Sequence, residues 1–180
     1  MLSSPVWRGS AKYAFCGGLL LGAVTTAAGL VLVGSFVRLA APPAVWRWVL
    51  LAAVAALLLR ELGLVRFWLP QNARQVPEHV RRHGRIIGPL RFGFEVGTGV
   101  RTYAPSALPY GAALAVLLLA GPLAALTTGL GFGLGRSAMT LGNLAYSNDN
   151  SWDSAWIAHE RVSRFVLATA FAVGIAVLSL

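Results

Sequence analysis

Glu95 and Arg101 stand, with Arg91, within RFGFEVGTGVRTYAPSALPYG, residues 91–111, in a chain that is otherwise mostly apolar. An ion in the middle of a bilayer costs at least ~2.5 kcal/mol, so it is normally paired or wetted. If residues 88–103 are helical, Arg91 and Glu95 lie one turn apart, and Glu95, Thr98 and Thr102 share a polar face. Gly93 and Gly97 then form a small-xxx-small surface that lets a second helix approach closely. Pro105 and Pro109 lack N–H groups and leave carbonyls of the preceding turn unsatisfied. The expectation is a polar intramembrane site built from Glu95, Thr98, Arg101, Thr102, Tyr103, Pro105 and Pro109. The plain alternative is an interfacial stretch with both charges hydrated. No spacing supports a nucleophile–base pair or a catalytic triad, so no catalytic residue is assigned and the chain reads as a non-enzyme.

Other chemistry-bearing patterns resolve more simply. GLGFGLGRS carries Gly129, Gly131, Gly133 and Gly135; alternating glycines form two overlapping small-xxx-small frames for helix packing. They do not match a dinucleotide or P-loop fingerprint. His79 and His83 have helical spacing, but only Glu78 accompanies them, which makes no metal set. Neither a cofactor nor a metal is expected. Cys16 is the single cysteine; a lone thiol forms no intramolecular disulfide and reads as a small, soft packing residue.

The elements that must position these residues are membrane helices. The 180-residue chain is 57% hydrophobic and 12% charged, about half the usual charged share of globular proteins. Spans are expected at about 13–37, 44–64, 88–120, 123–136 and 162–180, in one transmembrane domain covering residues 1–180. As a single helix, 88–120 would reach about 50 Å, beyond the ~30 Å hydrocarbon core, so a break is expected near APSALP. That segment is either a broken helix or a re-entrant one, near 88–109. The fold class is all-α and polytopic, with about five transmembrane helices.

All but one of the 15 cations are Arg. They cluster before the first span, in the basic loop 69–88 and around the polar segment 137–160. This bias places the N-terminus and the long loops in the cytoplasm and the protein in the cytoplasmic (inner) membrane. It also explains the net charge of +9 without nucleic acid. Trp46, Trp48, Phe67 and Trp68 bracket the second span as interfacial anchors; Trp152 and Trp156 do the same in SNDNSWDSAW.

The stretch GFEVGTGVRTYAPSALPYG, followed by GLGFGLGRS, resembles the transmembrane modules of the DsbD/CcdA family of thiol-electron carriers. The matching positions are Gly97, Gly99, Thr102, Pro105 and Pro109, then Gly133, Gly135 and Arg136, across roughly 45 residues. The resemblance implies a broken-helix scaffold. The family carries a redox Cys beside the prolines, where this chain reads TYAPSALP, so no disulfide relay can run in this chain alone. The expected function is a transport-type or accessory membrane subunit, in contact with the bilayer and with copies of itself or other membrane subunits. The alternative is a cysteine-poor relative of the electron carriers, with thiols supplied by a partner.

Overall fold

A computed structural model of the protein describes residues 9–69, 84, 86–99, 106–146 and 158–179. The described residues are all-helical, without strands: α1 (Ser10–Val37), α2 (Pro43–Glu61), α3 (Ile87–Gly97), α4 (Leu108–Leu118), α5 (Pro122–Tyr146) and α6 (Glu160–Ser179), with a 3-10 turn at Arg38–Ala40. Prolines open three of them. Pro43, Pro109 and Pro122 sit in the first turn of α2, α4 and α5, where a missing N–H costs no helical hydrogen bond. Pro109 thus starts a helix and interrupts none.

Two helical stretches, Ser10–Ala40 and α2, are long and apolar enough to cross a membrane. α1 is the central element, and α3, α4 and α5 all pack on it. A Cβ built on Gly18 would stand against the Leu90 carbonyl and 2.7 Å from the Phe94 nitrogen; one on Gly22 would meet the Phe94 carbonyl and lie 2.9 Å from the Thr98 nitrogen. Reciprocally, Gly93 faces the Phe15 carbonyl and Gly97 the Leu19 carbonyl. Four glycines on two helices therefore bring the backbones into contact. Residue numbers rise together on both sides, so α3 runs parallel to α1. Phe15 and Phe92 stack beside this seam, with ring centroids 5.8 Å apart.

α4 packs farther along α1 in the same direction. Ala27 shares a buried cluster with Val116 and Ala125, Gly34 abuts Leu117, and Arg38 reaches Ala120. At 11 residues each, α3 and α4 are about 16 Å long. They lie against successive stretches of α1, whose 28 residues extend about 42 Å. α5 returns antiparallel: Gly129 meets Ala23 and Ala27, Gly133 meets Leu20, and the Ser137 hydroxyl donates to the Cys16 carbonyl at 3.5 Å. α2 runs antiparallel to α4, burying Leu50 and Val54 against Leu118. α6 packs on α2 and α4, with Phe171 filling the space left by Gly111.

One boundary differs from expectation. The segment expected to end at Arg136 continues as helix to Tyr146, so Arg136 lies inside α5. Ser137 and Thr140 are buried rather than solvated. Their hydroxyls satisfy helix or neighbouring carbonyls, which lets a polar-looking sequence stay helical.

Candidate functional site

The site grows from the junction of α3 and α4. α3 stops at Thr98 and Gly99: the Thr98 N–H donates to the Phe94 carbonyl (2.9 Å), the Gly99 N–H to the Val96 carbonyl (3.2 Å). Gly99 has φ +77°, the left-handed conformation in which glycine ends helices without steric cost. Thr98 folds its hydroxyl back onto the Glu95 carbonyl at 2.8 Å. The Thr26 hydroxyl of α1 donates to the Thr98 carbonyl at 3.4 Å, so a carbonyl at the C-terminal cap of α3 is tied to α1.

The start of α4 is held by a carboxylate from another helix. Glu61, in the last turn of α2 and 7% exposed, accepts a hydrogen bond from the fully buried Ala107 N–H to Oε2, 2.8 Å. Ser106 Oγ accepts from the Leu108 N–H at 3.2 Å. Pro109 has no N–H, so these two bonds satisfy two of the three backbone donors at this helix end, and the third, the Tyr110 N–H, donates to the Ala107 carbonyl at 3.1 Å. The negative charge of an ionised Glu61 also complements the positive end of the α4 dipole. At the other end, the Arg38 guanidinium donates to the Ala120 carbonyl, 2.6 Å, just past α4. α4 is therefore bracketed by a carboxylate at its N-terminal end and a guanidinium at its C-terminal end, each the sign its dipole favours.

Between α1, the α3–α4 junction and α5 lies a cavity of about 360 Å³, within the ~300–1,000 Å³ range of small-molecule pockets. Ala23, Ala27 and Leu30 of α1 form its floor, and Ala112, Ala113 and Val116 of α4 one wall. Thr98, Gly99, Pro109 and Tyr110 line the junction. Phe132 and Arg136 contribute from α5. The Arg136 guanidinium lies over the Phe132 ring, 5.7 Å from its centroid. Arg136 is half-buried, and among the described residues no carboxylate offsets its charge.

The expected site residues distribute unevenly. Thr98 and Pro109 line the cavity, as does Gly97 of the α1–α3 seam. Glu95 is half-buried on α3, with Oε2 shielded from solvent, and does not line the cavity. Arg101, Thr102, Tyr103 and Pro105 lie outside the described residues, as do His79, His83, Trp152 and Trp156. Gly93 packs on α1, and of the four α5 glycines Gly129 and Gly133 face α1, whereas a Cβ on Gly131 or Gly135 would meet nothing within 4 Å. Glu61 was not among the expected site residues, yet the sequence carries a signal for it: a carboxylate in the final turn of an apolar helix opposes the helix dipole and calls for a partner. Arg136 resembles a flanking charge in the sequence because the polar residues from Ser137 onward look like loop, whereas it lies inside α5.

No protein-family model, characterised protein or solved structure matches the chain. The resemblance to the thiol-electron carriers rests on its motif residues alone.

Proposed function

We propose that the protein is a multi-pass membrane protein of transport or accessory type, in which α3 and α4 make one discontinuous span around the cavity. The observation that carries this reading is directional. Both short helices follow α1 in the same sense, over successive stretches of its length, with the cavity at their junction. A re-entrant segment would turn back toward the side it came from. Interrupted backbone at membrane depth is tolerated where protein or a wet cavity covers it, and half-helices meeting at mid-depth are a recurrent way to build transport sites.

The outer surface supports the same reading. Leu32, Phe36, Trp48 and Leu123 are all at least 65% exposed, large apolar groups of the kind a lipid environment accommodates. Positive charge before α1 and after α2 favours a cytoplasmic N-terminus in the inner membrane. The open face of α5 at Gly131 and Gly135 offers a close approach to a second copy or another membrane subunit. Nothing favours the thiol-carrier alternative: Cys16 is buried within α1 at 8% exposure, where a partner's thiol has no direct access.

Single cysteines at Ile86 and Gly121, in a Cys16→Ala background, test the discontinuous span. A membrane-impermeant maleimide should label Ile86→Cys only from the cytoplasmic side and Gly121→Cys only from the opposite side. Labelling of both from the same side would overturn it.

A further inference from the structure

We propose that the cavity binds a single-chain anionic amphiphile drawn from the bilayer, its phosphate or carboxylate head on Arg136 and its tail along α1 and α4. The inference rests on the discontinuous-span reading above and names the ligand class of that site. Three observations carry it. Arg136 is the one ionisable group that lines the cavity among the described residues, apart from the phenol of Tyr110. Its charge is partly desolvated and, among the described residues, meets no carboxylate; the face of Phe132 lies close. A guanidinium so placed suits an incoming oxyanion, which it can bind through two parallel N–H donors.

Most of the remaining lining is apolar, with Thr26, Thr98, Thr128 and the Tyr110 phenol as its polar members. Ala23, Ala27, Leu30, Ala113 and Val116 supply an apolar stretch of that lining, on α1 and α4. That stretch suits a hydrocarbon tail, while the polar groups gather with Arg136 and at the α3–α4 junction. The anion's other natural seat, the N-terminal end of α4, is already taken by Glu61, which leaves Arg136 as the anchor.

Depth agrees with this assignment. Arg136 follows Gly133, which packs on Leu20, and precedes Ser137, which bonds to the Cys16 carbonyl. It therefore lies about 9–15 Å from the start of α1 at 1.5 Å per residue. In a bundle about 42 Å tall around a ~30 Å hydrocarbon core, that is close beneath the cytoplasmic headgroups. A lipid head needs only a short descent to reach it, with its tail then pointing toward the centre of the membrane.

The test uses the full chain in nanodiscs of neutral lipid, with Ala113→Cys in a Cys16→Ala background as the reporter. A membrane-permeant maleimide should label Cys at this position, and dodecyl phosphate should slow that labelling in a saturable way. Adding Arg136→Gln should raise the half-protecting concentration at least tenfold, and Arg136→Lys should restore part of the loss. Inorganic phosphate should not protect at the same concentrations, nor should dodecyltrimethylammonium. Equal protection by the cationic amphiphile, or protection unchanged by Arg136→Gln, overturns the proposal. Equal protection by inorganic phosphate overturns the role of the tail. If the reporter labels normally and dodecyl phosphate gives no protection, the ligand class is wrong and the discontinuous span stands. An unlabelled reporter in the absence of any probe instead refutes an accessible cavity and overturns the proposal, while the sidedness of Ile86→Cys and Gly121→Cys still decides the span.

Discussion

At the scale of single residues, Glu61 shows how a charge is kept in an apolar setting. Its carboxylate has no reason to leave water unless the groups it meets replace the lost hydration. The Ala107 N–H is such a group, since it is fully buried and has no intrahelical acceptor at the start of α4. Glu61→Ala should lower stability by about 1–3 kcal/mol, the cost of leaving a buried donor unsatisfied. Glu61→Gln keeps an acceptor of the same reach and should lose less, giving up mainly the charge–dipole contribution. Thermal unfolding of the purified protein in a mild detergent measures both, and equal losses for the two variants would count against capping. This contact was hidden in the sequence because its partners are 46 positions apart. Hydropathy sees Glu61 as the polar end of a span, next to Arg60. Only the fold brings the first turn of α4 to meet it.

At the scale of elements, α3 and α4 are too short to be stable helices by themselves, and each borrows its order from neighbours. α4 is held at both ends by Glu61 and Arg38, while α3 is held along its length by the glycine seam with α1. Gly93→Val should therefore force Phe15 backbone away and cost about 1–3 kcal/mol, the usual range for overpacking a close contact. Gly131→Ala and Gly135→Ala should be neutral or stabilising by up to about 1 kcal/mol, because the added methyl gains helix propensity and meets nothing. Unfolding in detergent compares the three, and a Gly135→Ala variant as damaged as Gly93→Val would mean that the open face of α5 is occupied. The sequence displayed these glycine pairs but not which helix each would face. Its apolar runs at about 13–37 and 44–64 coincide within a few residues with α1 and α2, because long apolar runs admit few readings, whereas the sequence showed 88–120 only as one interrupted segment. It ended α5 ten residues early, since Arg136, Ser137 and Thr140 look like a solvated exit until α1 is placed beside them.

At the scale of the whole molecule, one helix organises the rest. α1 touches α3, α4 and α5 along different stretches and faces, whereas α2 and α6 reach the bundle chiefly through α4. The all-α class follows from composition, since apolar runs in lipid must satisfy their backbone internally. The hub does not: α1 is longer and more apolar than α2, but it is the spacing of its small residues that lets neighbours approach. Gly18, Gly22, Ala23, Ala27 and Gly34 make it the one helix that others can approach closely on several sides. This arrangement has a consequence for assembly. If the chain is divided between α2 and α3, fragments 1–75 and 76–180 produced in the same cell should recombine, because the α1 seam needs no covalent link across that loop. An affinity tag on the first fragment should then retain the second through purification in mild detergent. Gly18→Leu with Gly22→Leu in the first fragment should abolish that retention, since both added side chains would collide with the α3 backbone. Gly29→Leu, at a position where a Cβ would meet nothing within 4 Å, should leave it intact. Retention that survives the double substitution, or fails in all three cases, would show that α1 is not what holds the bundle together.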